Sequence, residues 1–379
     1  VNKWVQIFVF GLLSCDMVFA VSPRVPYHPM GVTYSGLHAT TSPSKDSVIQ
    51  DIHAIKKYRD ANGRRFTAVR TYYPQYDGGK IELLPMLASN NLKVLLGLYL
   101  FDPPHEQDWT TANYEQDVKP FFKNKELLGI LVGNEDYPDR KLQINQYLDW
   151  VKKDAPSIAV STAQTTNFWL NQSNDPDIEA IANKCDFIAV NIYPIWDWYK
   201  QSDQNQPLGR TLLTGVEDML HALRYPLHVN LKRHFIHILR VIIHPMFTLH
   251  RMLPQSMHIS DMIRYPSSLS PEQGFASFKA QYEAIHKQYP GKQIVVTETG
   301  WPTTYGEVVN VRQQPAQYQI GLDNAKVYYA LVRKWSARNH VTVFYYSMFD
   351  NWYAVASATY SKHFGLLNTK RLPKRANVH

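Results

Sequence analysis

From Pro29 onward the sequence alternates short apolar runs with longer amphipathic stretches. Eight runs stand out: Met30–Ser35, Phe66–Tyr73, Leu92–Leu100, Leu128–Glu135, Ile158–Thr162, Phe187–Tyr193, Gln293–Glu298 and Val341–Phe349. Their continuous apolar character suits parallel strands buried on both faces. Between them, Asp46–Ala61 carries Val48, Ile52, Ile55 and Tyr58 on one helical face, with Ser44 or Asp46 placed to cap it. Arg140–Asp154, Pro271–Tyr289 and Pro315–Asn339 follow the same period, and proline opens the last two. Eight strands alternating with helices predict an α/β fold, a single (β/α)8 TIM barrel over 21–374, rather than a doubly wound sheet.

The rhythm breaks once. Residues 221–266, after the sixth strand, hold seven of the 15 histidines and four methionines but no glycine. Three readings compete: a lid or docking insertion, a histidine metal site, or an aberrant translated stretch. No carboxylate accompanies the histidines at ligand spacing, which counts against a metal. The aberrant stretch is the favoured reading. Removing it and a leader of 20 residues leaves 313, a comfortable barrel length.

Residues 1–20 read as that leader. Lys3 precedes an apolar run from Trp4 to Leu13, and Val18-Phe19-Ala20 offers a cleavage site. Leu12-Leu13-Ser14-Cys15 also resembles a lipobox, which would end the leader at residue 14 and anchor the protein through a lipidated Cys15. Both readings predict a secreted or envelope-located protein. Cys185 is then alone and is expected to pack as a small hydrophobe.

Composition adds limits. The chain is 45% hydrophobic and 19% charged, a globular balance. Its net charge is +8, but the 221–266 stretch, with six Lys/Arg against Asp261, supplies +5 of it. Little basic excess remains elsewhere, which argues against nucleic acid as a partner. Aromatics reach 13%; they either fill a core or stack on the apolar faces of sugars.

Two strand ends carry candidate chemistry. Leu131-Val132-Gly133-Asn134-Glu135 and Val295-Val296-Thr297-Glu298-Thr299-Gly300-Trp301-Pro302 each place a glutamate at the carboxyl end of an apolar strand, the catalytic face of a barrel. These are strands four and seven. Two carboxylates converging at about 5–5.5 Å suit a retaining glycosidase, one as nucleophile and one as acid/base. Asn134 is placed to bond a sugar 2-hydroxyl, and Trp301 to form a stacking wall.

These motifs resemble glycoside hydrolase family 17. Gly31-Val32-Thr33-Tyr34-Ser35, Val69-Arg70-Thr71-Tyr72, Val190-Asn191-Ile192-Tyr193-Pro194 and His363-Phe364-Gly365-Leu366 extend the likeness over 29–210 and 270–374. The resemblance implies retaining cleavage of a β-glucan, expected to be β-1,3-linked, by a monomer that needs no cofactor. It implies Glu298 as nucleophile, Glu135 as acid/base, and Tyr34, Arg70, Asn134, Tyr193 and Trp301 along the substrate cleft. Arg70 either bonds the nucleophile region or forms a structural ion pair, and Asp350, Asn351 and Trp352 either bind sugar or shape a loop. A glucanosyltransferase and a non-catalytic glucan-binding envelope protein are the alternatives.

Overall fold

The computed structural model describes residues 22–40, 42–99, 111–136, 139–171, 175–195, 269–304, 319–351 and 359–374. The leader, Cys15, the 221–266 stretch, Pro315 and Trp352 lie outside them.

Eight parallel strands close into a barrel: β1 (Gly31–Thr33), β2 (Ala68–Arg70), β3 (Lys93–Leu98), β4 (Leu127–Asn134), β5 (Val160–Thr165), β6 (Phe187–Asn191), β7 (Gln293–Thr299) and β8 (Val343–Tyr345). Each pairs with its successor in sequence, and β8 returns to β1 through Gly31↔Phe344 and Val32↔Tyr345. A short antiparallel pair, Gln75–Tyr76 with Ile81–Glu82, decorates the loop after β2. The expected eight-stranded barrel is present. One strand runs further than its apolar stretch: β5 extends through Thr165 because its polar side chains find partners inside. Ser161 Oγ donates to the Phe187 carbonyl at 2.6 Å, and Gln164 Nε2 donates to Thr162 Oγ1 at 2.9 Å.

The surrounding helices include α1 (Lys45–Lys57), α2 (Leu83–Ala88), α3 (Thr111–Asp117), α4 (Lys141–Asp154), α5 (Thr166–Leu170), α6 (Pro176–Lys184), α7 (Pro271–Gln288) and α8 (Leu322–Asn339). Ser44 caps α1, accepting from Ser47 N–H. Ser270 and Gln273 form a reciprocal capping box at α7, with Pro271 at the first turn. Such caps each contribute about 1 kcal/mol. Helix α1 stops at Lys57, short of the expected Ala61, because Tyr58 leaves the helical region at ψ 140°.

Strand alternation divides the core into two shells. Ala68, Leu95, Leu131, Ala163, Ala189, Val295 and Phe344 fill the barrel interior. Val69, Val94, Ile130, Val190 and Val296 face outward onto helix residues such as Ile52, Leu148, Ile181 and Phe278. Full burial of each such side chain contributes about 1.5–3 kcal/mol. Val25 closes the base: its N–H donates to Gln293 Oε1 at 2.9 Å, and Gln293 Nε2 donates to its carbonyl at 2.8 Å. Cys185 is a free thiol buried in the outer shell, as expected. Among the described residues no helix is long and apolar enough to cross a membrane.

Candidate active site

Asn134 and Glu298 reach the barrel mouth through a shared local device. On β4, Leu131 pairs with Ser161 but Asn134 pairs with Ala163, so β4 spends three steps against two. On β7, Val296 pairs with Val190 and Glu298 with Asn191, two steps against one. Each strand therefore carries one extra residue just before its glutamate. A bulge of this kind reverses which side chains point inward. Leu131 and Val295 face the interior, and strict alternation would turn Asn134 and Glu298, each three residues on, toward the helices. The bulges turn them into the mouth instead. Gly133 accommodates this at φ 78°, and Glu135 itself takes the left-handed conformation at φ 58°.

Three donors converge on the Glu298 carboxylate. Arg70 Nη1 donates to Oε1 at 2.5 Å, Tyr72 Oη to the same oxygen at 2.8 Å, and Tyr193 Oη to Oε2 at 2.5 Å. All suit an ionised carboxylate, which only accepts. Arg70 is fully buried. Burial is the largest influence on it and opposes its charge, but Tyr72 and Glu298 outweigh that and raise its affinity for the proton. Its guanidinium also lies 3.8 Å from the Tyr72 ring centroid. Burial, followed by the Glu298 charge, pushes the Tyr72 and Tyr193 phenols well above their ordinary value, so both are held as donors. The same two causes raise Tyr346 to about 12.

The network continues to the other glutamate. Arg70 Nη2 donates to Asn134 Oδ1 at 2.6 Å. Asn191 Nδ2 donates to Asn134 Oδ1 at 3.2 Å and to Glu135 Oε1 at 2.8 Å. Asn191 is oriented by Thr297 Oγ1, which donates to its Oδ1 at 2.7 Å. Glu298 is nearly buried, whereas Glu135 is exposed. The two carboxyl groups thus occupy different surroundings within one hydrogen-bonded chain. Among the described residues no cluster of His, Cys, Asp or Glu could hold a metal.

Glu135, Glu298, Arg70, Asn134 and Tyr193 therefore meet, and Arg70 does bond the nucleophile candidate. Two expected cleft residues do not line it. Tyr34 follows Val32 on the outward-facing register, is buried, and donates to Asp51 of α1 at 2.8 Å. Trp301 is completely buried: its indole N–H donates to the Gln319 carbonyl at 3.1 Å, and its ring lies against Tyr328 and Gly274. It has no free face for a sugar. Partly exposed rings at the mouth come instead from Tyr72 and Tyr346, the latter packed with Tyr193 and Phe364. Tyr72 and Asn191 were legible in principle: each lies two residues from a named site residue, Arg70 or Tyr193, and strand alternation puts such pairs on one face.

Compared by sequence, the chain matches no protein-family model and no curated protein. Solved structures do match its fold. The glycoside hydrolase family 17 β-1,3-glucanosyltransferase of Rhizomucor miehei aligns with a TM-score of 0.56 at 16% identity, covering 91% of this chain and 94% of that one. An endo-laminarinase from Formosa gives 0.56 at 14% identity, with 89% and 83% coverage. A β-1,3-glucanase and pollen allergen of Cryptomeria japonica gives 0.53 at 17% identity, with 91% and 97% coverage. The chain is a (β/α)8 TIM barrel in its architecture. More narrowly, its fold is like that of glycoside hydrolase family 17.

Proposed function

We propose that the protein cleaves β-1,3-linked glucan with retention of configuration, Glu298 acting as nucleophile and Glu135 as acid/base. The observation that carries this reading is the seating of Glu298: a carboxylate at the end of strand seven, held at both oxygens by Arg70, Tyr72 and Tyr193. Those donors fix its direction of attack. Glu135, exposed at the end of strand four, is placed to protonate the leaving oxygen as Glu298 bonds the anomeric carbon. It then takes a proton from the water that breaks the glycosyl–enzyme ester, which restores both groups. The substrate class rests on the neighbours, which include a glucanosyltransferase solved with laminaritriose and two β-1,3-glucan-cleaving enzymes.

Transfer is the second reading, favoured by the glucanosyltransferase neighbours. A sugar hydroxyl would then replace water in the second step. The leader-like residues 1–20 support export. The test is incubation of the purified protein with laminari-oligosaccharides, with products separated by size. Shorter products support hydrolysis and longer ones transfer. Glu298→Gln should lose at least about a thousandfold in turnover. Near-wild-type turnover by that variant would sink the assignment.

A further inference from the structure

In a complete (β/α)8 barrel a helix follows the eighth strand and fills the space between α8, which precedes that strand, and α1. Here the described residues after β8 form a 3-10 turn, Thr359–Lys362, and an extended closing segment to Lys374, but no α-helix. A cavity of about 960 Å³ occupies this position on the outer wall of the barrel, within the size range of ligand pockets. Neither Glu135 nor Glu298 lines it.

The lining is one-sided in charge. Lys57, Arg59 and Arg64 come from the end of α1 and the turn after it, and Lys334 and Arg338 from α8. None of these five has a carboxylate partner among the described residues. The single acid of the lining, Asp60, is buried and already paired with Arg333 at 3.1 Å. Tyr58, Tyr329 and Leu322 supply apolar wall between the cations.

The spacing of charge narrows the ligand. On α8, Lys334 and Arg338 lie one turn apart, while Lys326, two turns before Lys334, is already paired with Asp323 at 2.8 Å; the unpaired cations therefore fall in two groups, one on α8 and one at the end of α1 with Lys57, Arg59 and Arg64. A single acidic headgroup would satisfy one of these two groups only. A chain with anionic groups repeated along its length would satisfy both, and the C–H faces of pyranose rings suit the tyrosine and aliphatic wall. We propose that the groove between α1 and α8 binds a linear acidic oligosaccharide, one bearing carboxylate or sulfate groups, independently of the glutamate site. It would act as an anchoring site away from the cleavage cleft.

The test titrates the full-length protein by calorimetry at low ionic strength with four probes. These are an oligogalacturonate, a sulfated oligosaccharide, a neutral laminari-oligosaccharide and a single-stranded DNA of matched charge. Oligogalacturonate, the sulfated oligosaccharide or both should bind saturably and weaken with added salt. Comparing the two tells carboxylate from sulfate recognition. The combined change Lys334→Ala with Arg338→Ala, both at exposed positions, should weaken that binding roughly tenfold. Ala330→Trp, which fills the groove, should do the same without removing charge. Glucan cleavage by both variants should equal that of the parent, so a protein inactive on glucan yet binding the acidic ligand would count against the glutamate site alone. No saturable binding of either acidic sugar, equal or tighter binding of the DNA, or unchanged affinity in both variants would overturn the proposal.

Discussion

Arg70 and Glu298, 228 positions apart in the chain, meet at 2.5 Å with almost no solvent between them and the barrel wall. The second arm of the same guanidinium holds Asn134. One side chain thus fixes the ends of strands four and seven relative to each other. A lysine is a point charge and cannot reproduce this fork. Arg70→Lys should lower kcat/KM on laminari-oligosaccharides roughly a hundredfold. Arg70→Met should leave Glu298 buried without its counter-charge and cost about 3–5 kcal/mol of stability, read from urea unfolding. Unchanged stability in Arg70→Met would show that the pair is not a buried one.

Asn191 plays the matching part on the other carboxyl. It bridges Asn134 and Glu135, and Thr297 fixes its amide. Asn191→Ala should lower kcat by roughly ten- to a hundredfold while KM changes little, because the lost contact orients Glu135, the proposed acid/base, rather than the sugar. Thr297→Val removes only the orienting hydroxyl and should produce a smaller fall in the same direction. Steady-state kinetics on the two variants would separate the effects, and a larger fall for Thr297→Val would refute the order.

Much of the barrel was legible because its strands are short, apolar and regularly spaced. The placement of Glu135 and Glu298 at the barrel mouth was legible for the same reason, since both end such a strand. The bulges were not. Alternation counted from Leu131 and Val295 points Asn134 and Glu298 at the helices, and only the register with β5 and β6 reveals the extra residue in each strand. Tyr34 and Trp301 failed as cleft residues for a related reason. A motif fixes where the backbone lies but not which shell a large ring enters, and here Asp51 and Gly274 draw those rings outward.

The seat of Trp301 makes its own prediction. A Cβ added to Gly274 would lie 2.3 Å from the Trp301 ring, so α7 can approach β7 only because position 274 lacks a side chain. Gly274→Ala should destabilise the protein by about 1–3 kcal/mol through overpacking. Adding Trp301→Leu should recover part of that loss in thermal unfolding. Were Trp301 instead a sugar platform, its replacement would raise KM and leave the Gly274→Ala penalty untouched.

Buried phenols predict how stability changes in alkali. Burial is the leading cause that holds Tyr34, Tyr72, Tyr193 and Tyr345 well above the ordinary value of 10.0. Tyr58 and Tyr346 rise to about 12. In the unfolded chain these groups ionise near 10. Between that value and their folded values, the native state retains more protons than the unfolded one, so stability must fall as pH rises through this window. Below the window these tyrosines leave stability unchanged with pH. The slope is about 1.4 kcal/mol per pH unit for each phenol kept neutral. Urea midpoints should therefore drop steeply above pH 10, and absorbance at 295 nm should show a class of tyrosines that titrates only on unfolding. Tyr193→Phe removes one such proton and should make the fall shallower, although the variant also loses a donor to Glu298 and with it activity. A folded protein whose tyrosines all titrate together near pH 10 would contradict the buried placement of Tyr34, Tyr193 and Tyr345.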